Sequence, residues 1–351
     1  MKHVRQIAAL IFPLALVGCS ADKQADLRGI STFYWKTSFA LSNEESAWMD
    51  SLRCRRLYVK IADIAFDGAY KSPQPSALLE IKDTTGVWKY AITPAVFLTN
   101  SVFLNLSPGR SEWLASAVAG LYANYAALYP RPEQTHALLL DCDWTEGSRE
   151  VYFDFLKKLR SRLPPQVGIA VTLRLHQYKF PDRTGIPPAD RALLMAYNTG
   201  NIGDWDTANS ILSMTELDKY LYPAKPYPLP LDPALPLFAW SLAYRDGEFW
   251  KILPALTDVE LTSDTTHFEP VQTRAACFRV RKGTFRDGHY LRAGDMIRFE
   301  TVPPNLLQKA LHALRAIPLP PDAELGLFHL NRACIRRHSA RSVLSKLNAP
   351  L

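Results

Sequence analysis

Ala137-Leu138-Leu139-Leu140-Asp141-Cys142-Asp143-Trp144-Thr145-Glu146 is the most informative stretch of the chain. Four apolar residues run unbroken into two aspartates spaced by one. A continuous apolar run suits a strand buried on both faces of a parallel sheet. Period two places Leu139, Asp141 and Asp143 on one face. Carboxylates that close cannot both ionise cheaply, so one pKa should rise. The C-terminal ends of parallel strands are also where barrel enzymes hold their reacting groups.

Seven further runs of this type flank the first, at 31–39, 56–64, 95–100, 167–176, 192–198, 235–242 and 324–331. Helical periodicity separates several of them. Residues 111–129 align Leu114, Ala117, Leu121 and Tyr125, and residues 148–163 align Tyr152, Phe155, Leu156 and Leu159 before Pro164-Pro165. Ser213 and Glu216 have capping-box spacing, and 305–317 lines up Leu307, Ala310, Leu311 and Leu314. Eight strands with intervening helices place the chain in the α/β class, as an irregular (β/α)8 TIM barrel. The second strand lacks a following helix: 67–92 reads as loop or hairpin around Asp83-Thr84-Thr85-Gly86. Segment 180–190 has room for little helix. Residues 245–304, between strands seven and eight, alternate around Asp287-Gly288 and Gly294-Asp295 and read as a small β-rich insertion.

The N-terminus reads as an export signal. Lys2 and Arg5 precede an apolar run from Ile7 to Val17, interrupted by Pro13 and too short to span a bilayer as a helix. Leu16-Val17-Gly18-Cys19 then resembles the lipobox of bacterial lipoproteins. The resemblance implies cleavage before Cys19 and a diacylated cysteine held at a membrane. Ser20 stands where an inner-membrane retention aspartate could, which by the same resemblance points to the outer membrane of the cell envelope. The expected organisation is a signal peptide at 1–18, a lipidated tether at 19–29, a barrel domain at 30–335 and a basic tail at 336–351.

Composition agrees with a globular exported domain. Apolar residues make up 48% and charged residues 21% of the 351. Removing residues 1–18 takes two of the 41 basic residues and none of the 34 acidic ones, leaving 39 − 34 = +5. Much of that excess lies in Arg336, Arg337, Arg341 and Lys346, and no nucleic-acid signature accompanies it. Apart from Cys19, the cysteines are Cys54, Cys142, Cys277 and Cys334. Their spacings give no disulfide framework or zinc site, although Cys277 and Cys334 could pair. The histidines show no metal spacing. No phosphate loop, nucleophile elbow or dinucleotide fingerprint occurs, so neither cofactor nor metal is expected.

Three segments bring a glycan-active family into view. Asp141-x-Asp143-Trp144 resembles the end of the Asp-x-x-Asp-x-Asp-x-Glu signature of glycoside hydrolase family 18, which contains chitinases and endo-N-acetylglucosaminidases. Met195-Ala196-Tyr197-Asn198 resembles that family's Met-x-Tyr-Asp, and Pro236-Leu237-Phe238-Ala239-Trp240 its Pro-Phe-Tyr segment. Phe33-Tyr34-Trp35 matches its aromatic first strand loosely. The resemblance spans roughly residues 30–331 and implies a barrel acting on N-acetylhexosamine. In that family a glutamate is the acid and the substrate's acetamido oxygen is the nucleophile, one of the exceptions to paired-carboxylate hydrolysis. By position, Asp143 would orient the acetamido group, Asp141 would be its buried neighbour and Tyr197 would bind it.

The departures are specific. The acid's position holds Thr145, with Glu146 one residue later, where a strand would turn its side chain the opposite way unless a bulge intervened. The strand-six aspartate is Asn198, and the first aspartate of the signature is Leu138. Two readings follow: a hydrolase using Glu146 as acid, or a barrel without catalysis that binds glycan or assists envelope assembly. Trp35, Trp144 and Trp240, together with His329 at the end of strand eight, are the candidate glycan contacts. Lys60 and Asp63 read as a barrel salt bridge. Protein partners are left open.

Overall fold

The computed structural model describes residues 27–83, 89–107, 109–127 and 137–347. The signal peptide, Cys19 and most of the tether lie outside them, as do residues 84–86 of the proposed turn. Eight parallel strands form the barrel: β1 (Gly29–Tyr34), β2 (Cys54–Asp67), β3 (Ala91–Leu98), β4 (Ala137–Asp141), β5 (Gly168–Arg174), β6 (Arg191–Met195), β7 (Leu231–Pro236) and β8 (Glu324–Phe328). Each pairs with the next, β8 pairs with β1, and β1 pairs with β2, which closes the ring. The apolar run at Leu138–Leu140 is fully buried. Its partner residues lie in β3 and β5, so both edges of the strand are satisfied by the ladder. Gly326 in β8 makes room for the interior: a Cβ there would come 3.0 Å from the Phe33 ring and 3.3 Å from Ala234.

Every expected strand run overlaps a barrel strand, but the seventh is displaced. β7 spans Leu231–Pro236, whereas the run read at 235–242 straddles its end and the start of a different sheet at Trp240–Arg245. Pro233 and Pro236 disguise β7, because proline supplies no ladder donor and usually argues against a central strand.

The insertion accordingly begins at Trp240 rather than at 245. Strands Glu248–Leu253, Trp240–Arg245, Met296–Glu300, Cys277–Val280 and Phe268–Pro270 form one antiparallel sheet in that order. It has its own apolar centre, including Leu253, Phe268, Phe278 and Ile297. The hairpin Thr284–Arg286/His289–Leu291 turns at Asp287 and Gly288, both with positive φ (51° and 74°), the conformation a two-residue hairpin turn needs.

Four helices match their sequence patterns: Ser111–Ala126, Arg149–Arg160, Met214–Leu221 and Pro304–Arg315. At Ser213 only half of the capping box forms, the side chain accepting from Glu216 N. A complete box, Ser42 with Glu45, starts the helix Asn43–Ser51 after β1. Among the described residues no helix follows β2; Ser72–Leu78 folds back antiparallel on it, so that hairpin turns near 68–71. The proposed basic tail is also different. Arg332–Arg337 and Ala340–Leu347 are helices, the second carrying buried Val343. Its basic residues are partly engaged: Arg336 reaches Glu44, and Arg337 donates to Asp258 at 2.9 Å. No helix among the described residues is long and apolar enough to cross a membrane.

Candidate functional site

The C-terminal ends of the barrel strands surround a cavity of about 420 Å³. Asp141, Asp143, Tyr197 and Asn198 all line it, so the alternation read along β4 holds through the strand end. Asp141 closes β4 and accepts a hydrogen bond from Thr172 Oγ1 at 2.8 Å. Burial lifts its carboxyl to about 6, with the nearby Asp143 charge adding to the rise; Thr172 and Arg174 oppose it. Asp143, two residues on, is gripped at both carboxylate oxygens by the Arg174 guanidinium. Arg174 ends β5, and Thr172 and Arg174 share one face of that strand, so the same alternation serves both aspartates.

The rest of the cavity is largely aromatic. Tyr197 stacks on Phe328, with ring centroids 5.5 Å apart and planes 17° apart, and meets Phe238 edge-on at 6.0 Å. Trp240 lies beside Phe238, and its indole Nε1 donates to Glu300 Oε2 at 2.9 Å. Asn198 adopts φ 54°, a left-handed turn that asparagine tolerates, and its backbone N–H donates to Ile211 O at 2.7 Å. His329 follows β8. Asn331 uses its Oδ1 to cap the next helix, so its amide nitrogen faces His329 Nε2 at 3.2 Å. That leaves the proton on Nδ1, which is buried without a partner among the described residues. Burial, then the charges of Lys36 and Lys60, lowers His329 to about 4, and the ring is neutral at pH 7. Lys60 itself pairs with Asp63 at 2.8 Å.

Three sequence candidates fall elsewhere. Glu146 does not reach the cavity: its side chain is 67% exposed, with Arg183 at 3.7 Å. No bulge brings it back. Instead the chain turns at Thr145–Ser148, where Ser148 Oγ receives the Thr145 N–H at 2.9 Å and donates to Asn100 Oδ1 at 2.6 Å. Trp144 is fully buried, packed against Tyr152 and Phe153, with its Nε1 bonded to Thr184 O at 3.0 Å. It is a core residue of the helix layer and offers no face to a ligand. Trp35 is half-buried behind the cavity wall, edge-on to Phe328 at 5.5 Å.

Arg174 and Phe328 line the cavity without having been singled out in the sequence, and Arg337, read there only as part of a basic tail, lines it as well. Arg174 had a signal, a charged residue closing an apolar strand. Phe328 and Arg337 had none beyond their place in or after β8. Cys54, Cys142, Cys277 and Cys334 are free, buried thiols, so Cys277 and Cys334 do not pair. Among the described residues no His, Cys, Asp and Glu group could hold a metal ion.

The raised Asp141 pKa has a consequence for stability. Its ordinary value is 3.8, so between about pH 4 and 6 the folded chain holds a proton that the unfolded chain has released. This contribution to stability is present at low pH and is lost as pH rises through 6. Asp141→Asn should therefore gain on the parent as pH rises, by up to about 3 kcal/mol across that window. Chemical denaturation of both proteins at either end of the window reads the difference; a constant gap would contradict it.

No family model matches the chain, and no curated protein sequence matches it. Solved structures do resemble it. A chitinase from Chromobacterium violaceum ATCC 12472 superposes with a TM-score of 0.52 at 12% identity, covering 92% of this chain and 100% of its own. The spore cortex-lytic enzyme SleL of Bacillus megaterium QM B1551 gives 0.49 at 15% identity, covering 91% and 73%. A family GH18 chitinase from Cycas revoluta, solved with allosamidin, gives 0.47 at 13%, covering 91% and 98%. The first of these likenesses supports the closed eight-strand barrel and carries the comparison no further than the fold.

Proposed function

We propose that the chain is a membrane-anchored protein whose chitinase-like barrel binds a glycan at its mouth without cleaving it. The observation that carries this reading is the position of Glu146, outside the cavity, with Thr145 in the acid's place. Asp143 is also occupied, its charge matched by Arg174. What remains is a cavity walled by Tyr197, Phe238, Trp240 and Phe328, with a few fixed polar groups. Aromatic faces beside sparse polar anchors suit a sugar ring, which has apolar faces and a polar edge. The resemblance of Asp141-x-Asp143-Trp144 and Met195-Ala196-Tyr197-Asn198 to segments of glycoside hydrolase family 18 supports N-acetylhexosamine as the unit bound.

Trp240→Ala should weaken retention of β-linked N-acetylhexosamine oligomers by about 1–3 kcal/mol, the burial of one large ring. Glu146→Gln should change neither retention nor turnover. Titrating both variants with one oligomer series tests this: a loss with Glu146→Gln, or none with Trp240→Ala, would place the ligand elsewhere.

Hydrolysis is the second reading, favoured by one observation, the Asp141 carboxyl at about 6. A carboxyl still partly protonated near neutral pH can act as an acid. Cleavage by this route would fall off above pH 6 and vanish in Asp141→Asn.

The anchor rests on Leu16-Val17-Gly18-Cys19 and is proposed with lipid on Cys19 and an outer-membrane location. Two or three acyl chains bury enough to make it stable. Cys19→Ala should be exported without lipid and be soluble after cell breakage. If it still fractionates with membranes after washing in high salt, lipid is not the main tether.

A further inference from the structure

The barrel has a second opening, at the N-terminal ends of its strands. A cavity of about 390 Å³ sits there, its lining including Arg28, Arg55, Arg56 and Arg191. Two of these four are engaged. Arg56 pairs with Glu324 at 3.1 Å, and Arg191 pairs with Asp232 at 2.8 Å and also with Asp322. Asp190, another lining carboxylate, is taken by Arg160. The acidic residues of this end thus have their cations. Arg28, Arg55 and the neighbouring Arg53 are different: all three are exposed, and none makes an ion pair among the described residues. They cluster at the start of two adjoining strands: Arg28 directly precedes β1, Arg53 directly precedes β2 and Arg55 is the second residue of β2, where Ile30 registers with Cys54.

The described chain also begins at this end, with Leu27. Cys19 precedes Leu27 by eight residues, which can span at most about 28 Å when fully extended. Lipid on Cys19 would therefore hold the base of the barrel near the bilayer, with the aromatic cavity at the opposite end of the strands.

We infer that Arg28, Arg53 and Arg55 form a docking surface for anionic phospholipid headgroups, which turns the mouth of the barrel away from the membrane. Guanidinium groups match phosphate with paired N–H donors, and basic residues near an anionic leaflet are drawn to it within a Debye length. The inference takes the nearness of the bilayer from the proposed lipid on Cys19, but its chemistry comes from the base alone. A glycan-binding mouth facing away from the bilayer would reach polymer beyond the headgroups.

The test uses the mature chain from residue 19, carrying Cys19→Ala, so that neither the apolar signal nor an acyl chain contributes. Flotation with vesicles of phosphatidylcholine, with or without phosphatidylglycerol, should show binding only to the anionic vesicles, weakening at high salt. Adding Arg28→Gln, Arg53→Gln and Arg55→Gln together should reduce that binding on the order of a hundredfold, about fivefold per removed cation compounded. Arg279→Glu with Arg281→Glu, on the insertion sheet, should leave it intact. An unchanged melting temperature in the triple variant would show that the barrel still folds. Equal binding to both vesicle types, or an equal loss in the insertion variant, overturns the inference. So does displacement by inorganic phosphate at constant ionic strength, which would mark a free-anion site. Mass spectrometry of the parent reads the lipid on Cys19 separately, so failure of the anchor and failure of the docking surface are distinguishable.

Discussion

Trp144→Ala should destabilise the barrel by about 3–5 kcal/mol, the cost of truncating a fully buried large aromatic side chain. The indole fills the space between β4 and the helix Arg149–Arg160, against Tyr152 at 5.3 Å and Phe153 at 6.0 Å. Its loss would leave a void in a layer already closed by Phe103 and Phe155, and would strand Thr184 O without its donor. A glycan-contact role would show the reverse pattern, with stability kept and binding lost. Denaturant unfolding of the variant decides: a loss below about 1 kcal/mol would mean that this ring is not a core element.

Glu300→Ala should have a comparable effect, about 3–5 kcal/mol, for an electrostatic reason. Glu300 and Arg298 pair at 2.8 Å with side chains 1% and 2% exposed. The other carboxylate oxygen receives Trp240 Nε1, Ser210 N and Ser210 Oγ. Arg298 in turn donates to the backbone oxygens of Asp204 and Trp205, both at 2.7 Å. Removing the carboxylate leaves a buried guanidinium without its counter-charge and releases three donors. Because the pair ties the insertion sheet to the loop after β6 and holds the Trp240 indole in place, ligand binding should weaken along with stability. Glu300→Gln keeps acceptors for Trp240 and Ser210, so it should retain more binding than Glu300→Ala. Equal binding in the two variants would separate the pair from the cavity.

The placement of Trp144 and Glu146 could have been argued from alternation alone. If Asp141 and Asp143 face the barrel mouth, then Trp144 and Glu146 face the helix layer. The chain turns at Thr145, yet Glu146 still ends outside the cavity. The strand set was legible because buried parallel strands are continuously apolar, as at Leu138–Leu140 and Leu193–Leu194. β7 was not, since two of its six residues are prolines. Arg174 was half legible: its position at a strand end could be read, but its partner Asp143 lies 31 residues away and only the β4–β5 pairing brings them together. The arginine rim at the base was invisible in sequence, because Arg28 and Arg55 become neighbours through the β1–β2 closure.

The central claim is that the mouth of the barrel holds a glycan and leaves it whole. Incubating the protein with β-linked N-acetylhexosamine oligomers, and measuring bound ligand and new reducing ends in the same sample, tests it most directly. Saturable binding that Trp240→Ala weakens, with the oligomer recovered intact, is the expected result. New reducing ends that disappear in Asp141→Asn, or no binding by any oligomer of the series, would contradict it.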